Sequence, residues 1–326
     1  MQATGQGNGH ARLVGHTPLA DKVDWVRPQP SDQFVLTPQV EQVVARAMAY
    51  LGVGYPVNLA GPAGTGKTTL ALHLAAQLGQ PVTLIHGDDE FGSSDLVGND
   101  QGYCRSKLVD NFIHSVVKTE ETLRTVWVDN RLTMACRYGH TLVYDEFTRS
   151  RPEANNTLLS VLGEGLLDIP KLRHAGEAYL KVHPSFRAIF TSNPQEYAGV
   201  HSSQDALMDR LITIHTEHYD RPTEIRITAT RSGLPQEEAA TVVDIVRCVR
   251  GRHSTGHRPS VRAAIAIARV MAHLRVPADP ANQVFLDICR DVLGAGAVAG
   301  RPLSPEEIRS AMDEAARDGQ LDPRKG

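Results

Sequence analysis

Three features of this 326-residue chain predict an α/β fold. The predicted architecture is a parallel sheet between helices, followed by a small all-helical C-terminal lid domain. Short apolar runs alternate with helical patterns from about residue 57 to residue 191, which is typical of a parallel sheet covered on both faces. A glycine-rich loop joins the first apolar run to the helix after it. Beyond about residue 219 the strand pattern stops, and apolar residues recur only with helical spacing.

The elements of the core follow in order along the chain. Thr37 and Pro38 are typical of a helix start, and an apolar helical face continues through Leu51. A second helix begins after the glycine-rich loop and ends at Gly79. The predicted strands are Val57–Ala60, Val82–Ile85, Leu142–Tyr144 and Arg187–Thr191. An insertion is expected around residues 93–112, because the interval 87–139 is too long for one crossover, and a hairpin is expected at 166–182.

The same pattern divides the chain into four parts. Residues 1–33, rich in Gly, Gln and Pro, are expected to form a flexible leader. Residues 34–218 form the α/β core, residues 219–300 the helical lid domain, and residues 301–326 a charged C-terminal helix and tail. The lid helices are expected at Pro222–Ser232, Pro235–Arg250 and Val261–Leu274, with Ser260 opening the last of them.

Composition argues against several classes of protein. The net charge of −3 lacks the electrostatic signature of a nucleic-acid-binding surface, so no nucleic acid is expected as a partner. No apolar run approaches the ~20 residues of a membrane span, and no signal peptide is visible. The four widely spaced cysteines are typical of a reduced compartment, which predicts a cytoplasmic protein. The histidines lack metal-ligand spacing.

The strongest functional signal is the glycine-rich loop, which matches the phosphate-binding pattern G-x-x-x-x-G-K-[ST] at every fixed position. Its residues are Gly61, Pro62, Ala63, Gly64, Thr65, Gly66, Lys67 and Thr68. Glycines let successive backbone N–H groups converge on phosphate oxygens, assisted by the helix N-terminus. Lys67 is then placed to bridge the β- and γ-phosphates of ATP, and the Thr68 hydroxyl to bind Mg²⁺.

Two adjacent carboxylates follow the third predicted strand. Parallel sheets keep their sites at the carboxyl ends of the strands, so Asp145 and Glu146 are expected beside the phosphate-binding loop. Asp145 would hold the Mg²⁺ ion. Glu146 would polarise the attacking water, which is a task suited to a positioned carboxylate.

Three further residues are candidates for the chemistry of the γ-phosphate. Asn193 follows the fourth strand, where it would orient the same water, although Asn-Pro is also a common turn signal. Arg210 follows that strand by a short helix, and Arg262 lies in the first turn after Ser260. Either arginine would stabilise charge that develops on the phosphate, while the ordinary alternative for each is a solvated surface residue.

These motifs, in this order, resemble the MoxR branch of AAA+ ATPases. Gly61–Thr68, Asp145 with Glu146, Asn193, Arg210 and Arg262 are similar to that branch's Walker A, Walker B, sensor 1, arginine finger and sensor 2. Within the branch, longer stretches resemble the gas vesicle protein N family. They are Val57–Leu78, Ile85–Gly98, Trp127–Gly139, Tyr144–Leu162 and Ile189–Gly199.

The resemblance implies an ATPase, in the cytoplasm or associated with the gas vesicle, that hydrolyses Mg-ATP to remodel or chaperone proteins during gas vesicle assembly. It implies a homo-oligomeric ring, expected to be a hexamer, and gas vesicle shell and accessory proteins as partners. The arginine finger acts on a neighbour's site in such a ring. Arg262 would act on its own site or on a neighbour's, and Arg149 and Arg151 are alternative trans-acting arginines.

Two other functions stay open at this point. In the first, ATP binding orders an assembly platform and the protein is a structural switch with incidental hydrolysis. In the second, the hairpin before Asn193 grips nucleic acid, using Lys171, Arg173 and His174 near its tip. A solvated turn is the plainer interpretation of that basic tip.

Overall fold

The computed structural model describes residues 33–90, 92–110, 118–169, 179–194, 205–252, 258–279, 281–294, 306–311 and 313–314. The helices are α1 Pro38–Gly52, α2 Lys67–Leu78, α3 Ser93–Val97, α4 Arg131–Tyr138, α5 Pro152–Gly163, α6 Asp205–Met208, α7 Arg221–Ser232, α8 Gln236–Arg252, α9 Val261–Leu274 and α10 Gln283–Gly294. The strands are β1 Val57–Ala60, β2 Val82–His86, β3 Gly98–Asp110, β4 Lys118–Asp129, β5 Thr141–Asp145, β6 Leu166–Asp168, β7 Tyr179–Lys181, β8 Arg187–Ser192 and β9 Ile212–His215.

A parallel five-stranded sheet with the order β2-β5-β8-β1-β9 forms the centre of the core. The predicted α/β class with a parallel sheet is confirmed, and four of its strands are those expected from the sequence. The register aligns Ala60 of β1 with Ser192 of β8 and His215 of β9. The edge strand β9 was not predicted, because only one of its four residues is buried and its apolar signal is correspondingly weak.

Helices cover both faces of this sheet, and alternate residues along each strand point to opposite faces. On one face Val143 packs with residues of α1 and α2. On the other face Leu142 and Tyr144 pack with residues of α3, α4 and α5. The continuous burial of β1 and β5 follows from this two-sided cover, and it explains why both strands appear as uninterrupted apolar runs.

After β9 the described chain is helical, as predicted. Helix α7 ends before Gly233, whose φ of 79° suits a glycine, and α9 begins after Ser260, whose side chain accepts a hydrogen bond from the Arg262 N–H. Apolar residues of α8, α9 and α10 form one buried core. Ile308 and Ala311, from the helical residues 306–311, are fully buried in the same core, so part of the predicted C-terminal segment packs on the lid helices.

Two antiparallel hairpins are added to the core. The long hairpin β3–β4 runs from the pair Gly98–Asp129 to the pair Asp110–Lys118. The insertion expected around residues 93–112 therefore extends further along the chain than predicted. The second strand of the hairpin, β4, must run back along β3 before the chain reaches α4. The hairpin expected at 166–182 pairs β6 with β7. Its tip, with Lys171, Arg173 and His174, lies outside the described residues, as do residues 1–32.

Candidate nucleotide-binding site

The candidate site lies at the carboxyl ends of the central strands. Strand β1 has β8 on one side and β9 on the other, and the chain leaves β1 for β2 at the far edge of the sheet. Successive connections therefore run to opposite sides of β1, which makes it a topological switch point. In open α/β sheets, ligands bind at such a point, beyond the carboxyl ends of the strands. Gly61, Asp145 and Asn193 directly follow or end the three adjacent strands β1, β5 and β8.

The phosphate-binding loop has the backbone that its glycines allow. Gly64 and Gly66 adopt φ angles of 76° and 82°, in the left-handed region that favours glycine. Gly66 is the N-cap of α2 and has no side chain to cap the helix, and the first turn of α2 contains no acidic residue. The N-terminal N–H groups of α2 and the positive end of its dipole therefore face the loop, which is an arrangement suited to phosphate.

Lys67 extends back over this loop. Its Nζ atom donates hydrogen bonds to the carbonyls of Gly61, at 2.8 Å, and Pro62, at 2.7 Å. The residue is 9% exposed, so its ammonium group lies in a largely desolvated position inside the curl of the loop. A cation held there would interact strongly with the oxygens of a bound triphosphate, because the low local dielectric weakens screening.

Thr68 and Asp145, which are 77 residues apart, are in direct contact. The Thr68 hydroxyl donates to Oδ1 of Asp145 at 2.8 Å. The phosphate-binding loop and the carboxyl end of β5, which the sequence predicted to meet around one nucleotide, therefore lie side by side. His86, at the end of β2, lies 3.5 Å from the other oxygen of Asp145. Hydroxyl and carboxylate oxygens are the ligands that Mg²⁺ prefers, so this pair fits the ion that ATP carries.

Thr191 links the two carboxylate residues, and sequence reasoning did not identify it. Its hydroxyl donates to Oδ1 of Asp145 at 2.6 Å and accepts from the backbone N–H of Glu146 at 2.8 Å. Thr191 is completely buried in β8. A hydroxyl in an otherwise apolar, buried strand must find partners, and this requirement was the available signal in the sequence Ile189-Phe190-Thr191.

Asn193 lies next to this pair, one residue beyond the end of β8. It is 7% exposed, and its Oδ1 atom is buried without a hydrogen-bond partner among the residues that the structure describes. A buried acceptor without a partner is unfavourable unless a bound group satisfies it. The Asn193 amide oxygen therefore suits a hydrogen-bond donor, such as the water expected at this position.

Glu146 has an unusual backbone. Its φ and ψ angles are 52° and 41°, in the left-handed region that few residues other than glycine adopt. The turn is held by the Thr191 bond and by Gly87, because a Cβ atom on Gly87 would lie 2.1 Å from the Glu146 carbonyl oxygen. Strain of this kind persists where surrounding contacts determine it, and it often marks functional sites. The Glu146 carboxylate is half-exposed and pairs with Arg149 at 2.8 Å.

Arg262 lies beside the loop of its own chain. A Cβ atom on Gly64 would lie 2.1 Å from Oγ of Ser260 and 3.7 Å from Cβ of Arg262. The start of α9 thus packs directly on the phosphate-binding loop, and the Arg262 side chain begins at that contact. Of the two possibilities left open by the sequence, this geometry favours action on its own nucleotide.

The other arginines make contacts away from the loop. Arg210 donates to the carbonyl of Ala206 and lies against Gly163, where its Nε would be 3.1 Å from an added Cβ. Arg149 pairs with its own Glu146, and Nε of Arg151 donates to the carbonyl of Asp89 at 2.6 Å. The described contacts of Arg210 therefore do not include the Lys67–Asp145 group of its own chain.

Two titratable side chains lie where the lid meets the core. Burial raises the pKa of Tyr219 to about 12, so its phenol is neutral at pH 7, and its hydroxyl would lie 3.5 Å from a Cβ atom on Gly66. The pKa of His218 is lowered to about 4, first by burial and then by the positive charges of nearby lid arginines. Its imidazole is therefore neutral as well, and adds no charge to this boundary.

Within the part of the chain that the structure describes, no three His, Cys, Asp or Glu side chains are grouped so that they could hold a metal ion. None of the helices described there is long and apolar enough to cross a membrane.

The Thr191 bridge can be tested by Thr191→Val, which keeps the shape of the side chain and removes its hydroxyl. Asp145 loses a donor and the Glu146 N–H loses its acceptor, so we expect the free energy of unfolding to fall by about 1–3 kcal/mol. We also expect ATP turnover to fall. Thr191→Ser keeps the hydroxyl and should retain most of both. Denaturant unfolding and steady-state turnover measure these effects, and a Val variant equal to the wild type would exclude a role for the bridge.

Comparison with known proteins places this geometry in a family. The sequence model described as AAA domain (dynein-related subfamily) matches residues 56–211. The chain is 49% identical, over 87% of its length and 80% of the relative's, to the gas vesicle ATPase GvpN of Ancylobacter aquaticus. It is 45% identical, over 87% of its length and 82% of the relative's, to the gas vesicle ATPase GvpN1 of Halobacterium salinarum. The chain belongs to the gas vesicle ATPase family.

Membership in this family confirms the resemblance that the sequence motifs carried and makes the chain an AAA+ ATPase. Among solved structures, NtrX from Brucella abortus in complex with ADP is similar, with a TM-score of 0.50 and 16% identity. That match covers 86% of this chain and 62% of NtrX. At this identity the likeness shows the fold alone, and it agrees with the parallel sheet and the helical C-terminal region described above.

Proposed function

We propose that this AAA+ ATPase hydrolyses Mg-ATP at the Gly61–Thr68 loop in order to remodel or chaperone proteins during gas vesicle assembly. The single observation that carries the proposal is the contact of Thr68 with Asp145 at 2.8 Å. It joins the end of the phosphate-binding loop to the carboxylate strand. Thr191 extends the same set of contacts to Glu146.

Each residue of this group has a distinct proposed role. The N–H groups of the loop and Lys67 bind the phosphates, and Thr68 and Asp145 would hold Mg²⁺. When bound, Mg²⁺ neutralises part of the phosphate charge. Glu146 orients the attacking water and accepts its proton, and the Asn193 amide helps to orient that water. Positioning and electrostatic stabilisation account for most of the catalysis in phosphoryl transfer, which agrees with a site made of aligned donors and carboxylates.

Arg262 is proposed to act on the nucleotide of its own chain, from the start of α9. Because α9 packs on Gly64, a change in the phosphates would alter the contact between the lid and the core. Closure of a domain around a ligand is a common way to turn binding into movement. Movement of the lid is therefore the proposed source of the force that acts on a client protein.

The gas vesicle context comes from the relatives, whose names describe gas vesicle ATPases. We accordingly propose the cytoplasm or the vesicle surface as the site of action, and shell and accessory proteins of the vesicle as partners. The test is a host that carries Glu146→Gln as its only copy. We expect this host to lose its gas vesicles, although the Glu146→Gln protein is present at the normal level. Normal vesicles in that host would instead favour a nucleotide-dependent structural switch, in which hydrolysis is incidental.

A ring, expected to be a hexamer, is proposed because Arg210 makes its contacts away from its own phosphate-binding loop. Arg210→Ala should leave ATP binding intact and reduce turnover by ~10³-fold or more, the effect of losing an arginine finger. Equilibrium binding of a fluorescent ATP analogue and steady-state turnover measure the two effects. Arg226→Ala, which changes an exposed arginine of α7, is the matched control.

Mixing two inactive variants distinguishes action in trans from a structural defect. In a mixed ring, a subunit with Arg210→Ala keeps an intact Glu146 and receives Arg210 from a neighbour with Glu146→Gln. Partial recovery of turnover is therefore expected on mixing. Turnover that stays absent in the mixture, while both variants still assemble and bind ATP, would contradict a trans-acting Arg210.

A further inference from the structure

A buried carboxylate with two arginines lies in the lid, apart from the residues assigned above. Glu224 of α7 is 1% exposed. Its Oε1 atom lies 2.8 Å from Arg250 and its Oε2 atom 3.1 Å from Arg247, both on α8. The side chain of Arg250 is 10% exposed, so this pair is almost entirely removed from water. Removing one partner of such a pair is strongly unfavourable, because an uncompensated charge is left in the interior.

Each of these arginines also holds a backbone segment. Nε of Arg250 donates to the carbonyl of Pro259 at 2.7 Å. Nη1 of Arg247 donates to the carbonyl of Tyr219 at 3.1 Å. Pro259 precedes the N-cap of α9, and Tyr219 precedes α7, so the arginines fix the two places where lid helices begin.

Both segments touch the phosphate-binding loop. Ser260, which follows Pro259, leaves no room for a side chain on Gly64. A Cβ atom on Gly64 would lie 2.1 Å from the Ser260 Oγ atom. The Tyr219 hydroxyl would lie 3.5 Å from a Cβ atom on Gly66. These two segments therefore contact the phosphate-binding loop at Gly64 and Gly66, the two loop glycines with positive φ angles.

We infer that Glu224, Arg247 and Arg250 form a positioning group that sets the segments at 219 and 259–262 against the phosphate-binding loop, and so determines ATP affinity. The inference rests on the proposed function, since it concerns the same nucleotide site. The three residues are positioning residues and do not touch the phosphates. They act through the backbone carbonyls that they hold, and through Ser260, which packs on Gly64 of the loop.

The test is Arg250→Met, which keeps most of the side-chain volume and removes both contacts of the guanidinium. We expect the KM for ATP to rise about tenfold with kcat within about twofold, the pattern for lost binding that is equal in the ground and transition states. In the nucleotide-free protein, hydrogen exchange should become faster at the backbone amides of residues 258–262, apart from Pro259, and of loop residues 61–68, apart from Pro62.

Arg221→Met is the matched control. Arg221 of α7 pairs with Asp244 of α8 at 2.6 Å and 2.7 Å, so it joins the same two helices, but it holds neither backbone segment. It should leave both KM and exchange at wild-type values. An unchanged KM and exchange in Arg250→Met, or equal changes in both variants, would overturn the inference.

A second variant, Glu224→Gln, tests the same group of residues. If Arg250→Met does not fold, Glu224→Gln is measured in the same way, since it keeps the shape of the side chain and removes the charge that orients both arginines. A rise in KM and faster exchange at 258–262 are expected, and wild-type values for both would overturn the inference. The exchange experiment uses no nucleotide, so an absence of turnover in the wild type would contradict the proposed function alone.

Discussion

Replacement of Lys67 with Ala is expected to abolish measurable nucleotide binding and to reduce ATP turnover by at least ~10²–10³-fold, the loss seen when one preorganised donor to developing charge is removed. The physical reason is its position. The ammonium group is 9% exposed and lies within 2.8 Å of two loop carbonyls, where an added phosphate would meet it without reorganisation. Calorimetric titration with ATP and steady-state phosphate release measure the two effects.

Lys181→Ala is the control for the loss of a lysine, because Lys181 is an exposed residue of β7. It should bind and hydrolyse ATP like the wild type. Thermal unfolding of both variants without nucleotide shows whether Lys67→Ala retains its fold. A folded Lys67→Ala variant with wild-type affinity and turnover would mean that the Gly61–Thr68 loop is not the nucleotide site.

Glu146→Gln is expected to keep nucleotide affinity close to that of the wild type and to reduce turnover by ~10²–10⁴-fold, the usual contribution of general base catalysis. The amide is nearly isosteric with the carboxylate and can still accept a hydrogen bond from Arg149, but it cannot take a proton from water. The backbone bond from Glu146 to Thr191 is unchanged by this replacement. Single-turnover hydrolysis separates the chemical step from product release.

The matched control is Glu153→Gln, which changes an exposed carboxylate in the first turn of α5. It should leave turnover unchanged. Retained turnover in Glu146→Gln would assign the base to another residue, and lost nucleotide binding would indicate that the left-handed turn at 146 had been disturbed. The same variant, loaded with ATP, is also suited to capturing a bound client protein for identification.

Much of the site could be predicted because its signals are local. The loop Gly61–Thr68 needs glycines at fixed spacing, and the strand before it and the helix after it are visible in the same stretch of sequence. The carboxylates end an apolar strand, and in a parallel sheet that alone predicts which edge they occupy. Ser260 and the helix Val261–Leu274 were likewise predicted with the observed bounds, because a cap and an apolar periodicity are properties of neighbouring residues.

Other features depend on segments that are far apart in sequence. Thr191 could be assigned its two partners only after the sheet order put β8 between β5 and β1. The closeness of Arg262 to the loop of its own chain depends on the packing of α9 on Gly64. The edge strand β9 was not predicted, because its partial exposure weakens the apolar pattern that identifies a buried strand.

One physical cause separates the features that the sequence determined from those that only the tertiary structure decided. Backbone conformation and helix or strand periodicity arise from interactions within a few residues, so the amino-acid sequence alone established the phosphate-binding loop, the acidic strand end and the change to helices after residue 219. Hydrogen bonds such as Thr68–Asp145 and ion pairs such as Arg250–Glu224 join residues 77 and 26 positions apart. Their partners are chosen by how the sheet and the lid pack, and packing is a property of the whole folded chain.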